Sequence, residues 1–292
     1  MSKVLFKDPA LQATFLDKGY VVIPLFQQDE IEELLAIFNH YFKEELQAFY
    51  SSSYLNDFEQ KKEISEAIKS VIVKKLDNYF INYRCIGGAF LSKSPGKYSE
   101  LPMHQDWTIV DEEKYVAVNI WTPLTPITSE NGTLQVLPES HKKFRILRAP
   151  TLPFSGEGYQ ELLKNHLVSI FPKQGEVVVL DQALIHYSDQ NKSDSIRVAV
   201  TTGVVSKEAQ LHFHYWNKNS ETLEKFEQDD DFLLKFENFH QSIFQRPTFG
   251  KIIKSEHYSP AIYSKQEIDS FLKIEEKKES LFHKFFSKLI KT

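Results

Sequence analysis

Hydrophobic positions follow two different periods along this chain. Near the start, Asp8-Pro9 reads as a turn that opens a short helical pattern ending near Gly19. Tyr20–Leu25 reads as a strand, and Pro24 within it argues for a sheet edge. Asp29 offers a helix cap before Ile31, Leu34, Leu35, Phe38 and Phe42, which recur at helical spacing. Ile64, Ile68, Val71 and Ile72 predict a second amphipathic helix over Glu63–Lys75. From Tyr83 the pattern shortens. Cys85–Leu91, Tyr115–Thr122, Thr133–Leu137, Glu176–Leu180 and Val198–Val205 are β-rich runs separated by Pro, Gly, Asn and Ser turns. Several short strands at such spacing predict a sandwich or barrel. After Ser220 the pattern returns to helix-like spacing with many charges.

Composition narrows the function classes. With 41% hydrophobic and 26% charged residues, the 292-residue chain matches soluble globular proteins and excludes disordered, collagen-like and coiled-coil classes. Its 13% aromatic content supplies a sizeable core. A net charge of −5, from 35 basic against 40 acidic residues, disfavours nucleic acid as a general partner. The single cysteine, Cys85, leaves no internal disulfide and fits a reducing compartment. The first residues lack an apolar core of signal-peptide length. No run approaches the ~18 apolar residues of a membrane span. A cytoplasmic location and no transmembrane segment are the expectation; the oligomeric state is left open.

The chemistry concentrates in His104-Gln105-Asp106. In β structure residues two apart share a face, so His104 and Asp106 reach one point. His186, directly after the strand-like EVVVL run, is a second imidazole candidate. Two histidines and one carboxylate on one face of a metal form the triad of non-haem Fe(II) oxygenases, which leaves positions open for a cosubstrate and dioxygen. An H-x-D pair alone is a weak signal, because such pairs also hydrogen-bond in ordinary turns. Arg197, at the eleventh position after His186, opens the run RVAVTTGVV. An arginine pointing into a barrel is costly unless it meets an anion, and a carboxylate would pair with it bidentately. A structural salt bridge is the alternative.

Three stretches carry a resemblance: LSKSPGKYSELPMHQDW, NIWTPLTPITSENGTLQVLPESHK and LIHYSDQNKSDSIRVAV. Together with the N-terminal FLDKGYVVIPLFQQDEIEELLAIF, they resemble the phytanoyl-CoA dioxygenase family over roughly residues 11–206. That resemblance implies an Fe(II)- and 2-oxoglutarate-dependent oxygenase on a double-stranded β-helix (a cupin-like jelly roll), using dioxygen. Carried over, His104, Asp106 and His186 would hold iron, while Arg197 and Ser188 would grip the 5-carboxylate of 2-oxoglutarate. Trp121 would wall the cosubstrate pocket. Asn119, on the same side of its strand, and Ile86, on the upstream strand, are further cofactor-binding candidates. Halogenases in the family replace the carboxylate ligand by a small residue. Asp106 is present, so hydroxylation of a small-molecule or carrier- or peptide-tethered substrate is favoured. Desaturation, epimerisation or cyclisation at the same site is the alternative, with a non-catalytic binding domain behind it. One departure stands out: Glu139 replaces the usual Gly of P-G-S-H.

The expected organisation is a single mainly-β domain over residues 1–292, with N-terminal helical support (1–82), a β-helix core (83–218) and a C-terminal helical extension (219–292). Several features carry less. His141 is expected to orient its turn rather than bind metal. His212 and His214 share a strand face but lack a third ligand at recognisable spacing. Trp107 fits a substrate mouth and simple packing equally. Arg84, Arg145 and Arg148 could meet an anionic substrate group but read more readily as solvated, and Asp229–Asp231 reads as a solvated helix start. The basic amphipathic pattern over Ser280–Thr292 fits docking on this domain or a second subunit better than a membrane surface.

Overall fold

The computed structural model describes residues 3–44 and 46–273. Helix α1 (Pro9–Lys18) starts where the Asp8 carboxylate accepts the Ala10 N–H at 2.7 Å, and stops at Gly19, whose φ of +82° suits glycine. Strand β1 (Tyr20–Pro24) leads to α2 (Gln28–Tyr41). That helix is capped by Gln27 with Glu30, whose carboxylate accepts the Gln27 N–H at 2.8 Å, so its start lies ahead of the Asp29 expected from the pattern. Strand β2 (Phe49–Ser51) and helix α3 (Phe58–Leu76) complete the N-terminal support.

The β elements then follow in chain order: β3 (Tyr83–Lys93), β4 (Leu101–His104), β5 (Ala117–Pro123), β6 (Leu134–Val136), β7 (Val168–Ser169), β8 (Glu176–Asp181), β9 (His186–Ser188), β10 (Arg197–Ser206), β11 (Leu211–Asn217), β12 (Thr222–Gln228) and β13 (Lys251–His257). A six-stranded sheet runs β1-β8-β5-β10-β3-β2 and a four-stranded sheet runs β4-β9-β6-β7, with every pairing antiparallel. Strand β1 is an edge, as Pro24 requires. Two antiparallel sheets with helices on one outer side give the mainly-β architecture that the strand spacing predicts.

The large sheet is covered on both faces, which explains the unbroken apolar run of β8. Val177 and Val179 face the helices and join one core with Phe15, Ile31, Leu34, Ile64, Ile68 and Ile72. Val178 and Leu180 face the other way and join Leu134 and Val136 of the small sheet, with Trp121 and Ala199. Ile64, Ile68 and Ile72 are fully buried, each worth about 1.5–3 kcal/mol. The helices therefore clamp the sheet whose inner face builds the site.

The segment after Ser220 departs from its helical reading. Strands β12 and β13 extend β11 into a separate three-stranded antiparallel sheet. All seven residues of β13 are exposed, so no inside–outside alternation marks it as a strand. A register shift between Lys225 and Phe226 breaks the alternation of β12. Among the described residues of this segment, helix appears as short turns at Phe232–Lys235 and Phe239–Ser242 and over 265–273. The Asp229–Asp231 run is not merely solvated. Asp229 pairs with Lys235, Asp230 with Arg84 at 3.1 Å and Asp231 with Lys62 at 3.5 Å. With the buried Lys61 ammonium donating to the Phe236 carbonyl at 2.8 Å, these bonds fasten the segment to the core. The pattern over Ser280–Thr292 lies outside the described residues.

Candidate active site

Strand pairing assembles the site. β4 and β9 run antiparallel with His104 directly opposite His186, and their rings lie 4.2 Å apart between centroids. Asp106 follows β4 by two residues. Ligand atoms of His104, Asp106 and His186 all lie within 4.8 Å of one another, close enough for one metal ion. Both imidazoles are aimed by their own backbone. The Nδ1 of His104 meets the Pro102 carbonyl at 2.7 Å and that of His186 meets the Leu184 carbonyl at 2.9 Å. A carbonyl only accepts, so each Nδ1 carries the proton and each Nε2 keeps its lone pair for a metal. Burial, and after it the neighbouring His186, pushes the His104 imidazole down to about 4, which keeps it in the neutral, ligating form near neutral pH.

Asp106 is held from two sides. The Asn119 amide donates to its Oδ2 at 3.3 Å, and the Thr201 hydroxyl donates to Asn119 in turn. Its backbone carbonyl accepts Nε of Arg148 at 2.8 Å, and Arg148 is itself paired with Glu112. Asn119 thus orients the carboxylate as well as lining the cavity. Arg148 is buried rather than solvated. Arg145 pairs with Asp181, and Arg84 binds Asp230 and the Ser206 carbonyl, so neither is free in solvent. A guanidinium offers several donors to carbonyls and carboxylates brought together only by folding, and for that reason composition misplaced all three.

A cavity of about 170 Å³ opens from the triad, lined also by Ser188, Trp121, Asn119 and Arg197. Arg197 stands opposite Lys93 across β10 and β3, a pairing that no local motif reveals. Lys93 was missed by the sequence reading, although the inward position it shares with Leu91 in a β pattern is a usable signal. Its ammonium donates to the carbonyls of Ser188 at 2.8 Å and Asp189 at 2.6 Å. Burial, then Arg197, pushes Lys93 down to about 6, and burial pushes Arg197 down to about 9. Arg197 donates to the Gly132 carbonyl at 2.9 Å and lies 5.4 Å from the Trp121 ring centroid, yet its Nε has no partner. The Asp189 carboxylate is bonded to Lys192 at 3.0 Å. Among the described residues lining the cavity, Asp106 is the one carboxylate. A buried Arg197 guanidinium with no carboxylate partner, beside a buried Lys93 amine that an arriving anion would protonate, forms a receptor for an anion.

Gly132 sits at the centre of that receptor. Its carbonyl accepts both Ser188 Oγ at 2.8 Å and Arg197, its φ is +68°, and a Cβ there would strike the Asp189 carbonyl. The Asn131-Gly132 turn thereby sets the position of both predicted cosubstrate residues.

Ile86 lies elsewhere. Between Thr201–Ala89 and Gly203–Ile86 the β3 strand carries one extra residue, and Gly87 has φ +59°. The bulge keeps Ile86 on the inner face but carries it into a neighbouring cavity, away from Arg197. Trp107 lines that same cavity and packs on Phe213, with ring centroids 5.6 Å apart. His141 is buried with its Nε2 against the Leu16 carbonyl at 3.2 Å, tying its turn to α1. His214 meets the Thr108 carbonyl at 3.1 Å, and burial pushes both it and His212 down, to about 4 and about 3. Among the described residues, neither belongs to a set of three metal-ligating groups.

Residues 15–199 match the model of the phytanoyl-CoA dioxygenase family. A phytanoyl-CoA dioxygenase domain-containing protein 1 homolog from Dictyostelium discoideum is 30% identical over 123 residues, covering 39% of this chain and 44% of that protein. A phytanoyl-CoA dioxygenase from Arabidopsis thaliana is 29% identical over 125 residues, covering 41% and 43%. The chain thus spans less than half the length of these curated relatives. Among solved structures, the non-heme alpha ketoglutarate dependent carbocyclase SnoK from nogalamycin biosynthesis aligns with a TM-score of 0.49 and 18% identity, over 70% of this chain and 86% of its own. HygX from Streptomyces hygroscopicus, with nickel and 2-oxoglutarate bound, aligns with a TM-score of 0.48 and 16% identity, over 68% and 86%.

Proposed function

The chain belongs to the phytanoyl-CoA dioxygenase family, and from that premise we propose that it is an Fe(II)- and 2-oxoglutarate-dependent dioxygenase that hydroxylates a C–H bond of a small or tethered substrate. One observation carries the reading: a two-histidine, one-carboxylate cluster shares a cavity with the buried Arg197 guanidinium, which has no carboxylate partner, and the buried Lys93 amine. His104, Asp106 and His186 would hold the iron. Two imidazoles and one carboxylate on one side suit a non-haem Fe(II) that keeps open positions. Arg197, Lys93 and Ser188 would hold the distal carboxylate of the cosubstrate, satisfying the unpartnered Nε of Arg197. With both bound, the site supplies dioxygen activation coupled to conversion of 2-oxoglutarate to succinate and carbon dioxide, one oxygen atom going to the substrate.

The residues of this chain do the positioning. Trp121 lies against Arg197 and fixes the width of the cosubstrate cavity. Asn119 and Thr201 hold Asp106 to one orientation, and the two Nδ1–carbonyl bonds hold the imidazoles. A cytoplasmic location is part of this reading, supported by the lone Cys85, which has no second cysteine in the sequence to pair with. Among the described residues no helix is long and apolar enough to cross a membrane.

Anaerobic titration of the metal-free protein with Fe(II) and 2-oxoglutarate tests the reading. A weak visible charge-transfer band is expected, and it should vanish in His186→Ala. Folded, iron-loaded protein that gives no band with 2-oxoglutarate would overturn the assignment.

A further inference from the structure

A second cavity, of about 260 Å³, adjoins the first and shares Asp106, Asn119 and Thr201 with it. Its walls have the opposite character. Among the described residues, no Lys, Arg or His lines it, and Asp106 is its one ionisable group. Trp107, Ile109, Leu234 and Phe239 make it apolar. Gly203 brings backbone to the wall, where a Cβ would meet Ile86 Cγ1 at 2.7 Å. Leu234 and Phe239 come from the segment fastened by the Asp229–Asp231 ion pairs, so that segment closes the cavity.

One polar group on this wall is unsatisfied. Gln182 is 7% exposed, lines the cavity, and its Oε1 has no hydrogen-bond partner. Its backbone N–H is tied to the Ala117 carbonyl at 3.3 Å, and the next residue is pinned where the Ala183 N–H donates to the Asp181 carboxylate at 2.8 Å. The backbone that carries the amide is therefore fixed beside the cavity. A buried acceptor left without a donor costs the fold, which marks it as awaiting a partner from outside.

We infer that this cavity receives the substrate, and that it takes an uncharged, mainly apolar group bearing one hydrogen-bond donor, a hydroxyl or amide N–H, that is read by Gln182. Naming the occupant a substrate rests on the oxygenase reading; the chemistry of the cavity does not. The volume lies below the ~300–1,000 Å³ of drug-sized pockets, so one ring or a short chain fills it. A carboxylate or phosphate would meet no Lys, Arg or His in this wall to offset its desolvation, and the two charges of a bound metal ion would already be matched by Asp106 and the 1-carboxylate of 2-oxoglutarate. Anionic groups belong in the neighbouring cavity, with Arg197 and Lys93, or outside.

Matched six-membered-ring probes test this. Protein loaded with Zn(II) and saturating 2-oxoglutarate, so that Arg197 and Lys93 are engaged, is titrated with cyclohexanecarboxamide, cyclohexanone and cyclohexanecarboxylate. Trp107 fluorescence and calorimetry report binding. The carboxamide should bind at least about tenfold more tightly than the carboxylate. Gln182→Leu should weaken the carboxamide about five- to tenfold and leave cyclohexanone within about twofold. Leu234→Arg, which adds a cation to the wall, should invert the ranking in favour of the carboxylate. A carboxylate that binds wild type as tightly as the amide, a Gln182→Leu change that affects amide and ketone alike, or no binding of any probe at millimolar concentration would each overturn the inference. Failure of 2-oxoglutarate to bind the Zn(II)-loaded protein would instead count against the oxygenase reading. The amide-against-ketone comparison in Gln182→Leu needs no loading and still decides the cavity.

Discussion

Replacing Arg197 with Met should make the ligand-free protein more stable while abolishing its response to 2-oxoglutarate. Arg197 is 2% exposed, and burial pushes its guanidinium down to about 9 from its ordinary value. A base whose folded pKa is depressed costs the fold at every pH below that value, and the cost is relieved only as pH rises past about 9. Each tenfold change in proton affinity is about 1.4 kcal/mol, so the cost near pH 7.5 is on the order of 5 kcal/mol. The Gly132 bond at 2.9 Å returns about 1.5–3 kcal/mol, and the Trp121 face 5.4 Å away about 0.5–2 kcal/mol. Met fills similar space without charge, which leaves a net gain of about 0–3 kcal/mol, or up to ~5 °C in Tm for a chain of this size. Differential scanning calorimetry with and without 2-oxoglutarate reads both arms. Wild type with metal and ligand at about 100 Kd should gain about 2.7 kcal/mol, and Arg197→Met nothing. A variant that is less stable than wild type without ligand, and still stabilised by 2-oxoglutarate, would refute the picture of a cation waiting for its anion.

Asp106→Ala should lose iron, measured by elemental analysis after anaerobic loading, with an unchanged circular dichroism spectrum; retained stoichiometric iron would remove Asp106 from the ligand set. Gly132→Ala forces a side chain onto φ +68° against the Asp189 carbonyl, so it should cost about 1–3 kcal/mol in denaturant unfolding and weaken 2-oxoglutarate. Wild-type stability and affinity in that variant would mean the turn can relax. Lys93, pushed down to about 6, is neutral in the free protein at pH 7.5, and a bound carboxylate would raise it again. Binding of 2-oxoglutarate should therefore take up close to one proton and weaken up to about tenfold for each pH step above about 6. Equal calorimetric heats in phosphate and Tris buffers would show that no proton is taken up.

The triad was legible because its signal is local and periodic. His104 and Asp106 are two apart in extended chain, and His186 directly follows a strand. Arg197 was legible because an arginine heading an apolar strand demands an anion. Lys93 and Gln182 were not, since each matters only through a neighbour distant in sequence. Lys93 acquires meaning from Arg197 across β10, and Gln182 from the closing segment that carries Leu234. Ile86 lies one cavity away because it pairs with Gly203, six residues along β10 from Arg197, while the extra residue at Gly87 decides the face it takes, and a glycine pair in a strand does not announce which side bulges. The helical reading after Ser220 failed where burial supplies no alternation, as in the wholly exposed β13.

The two cavities differ in charge but share a wall, and that wall is the carboxylate ligand with its supports. Asp106, Asn119 and Thr201 line both. Thr201 lies where β10 pairs with β5 on one side and with β3 on the other, opposite Trp121 and Ala89. The bulge begins at the next step along β3, so one side of Thr201 presents Leu91 and Lys93, and the other Ile86 and Gly87. An irregularity at this point lets one sheet present a cationic receptor and an uncharged receptor to either side of a single carboxylate. Without the extra residue, the alternation of β3 would turn Ile86 outward toward the helices and fill the inner face differently. On the proposed reading, sorting an anionic cosubstrate from an uncharged substrate would follow from register: strand pairing places Lys93 opposite Arg197 on one side of the bulge, and among the described residues lining the second cavity, on the other side, there is no Lys or Arg.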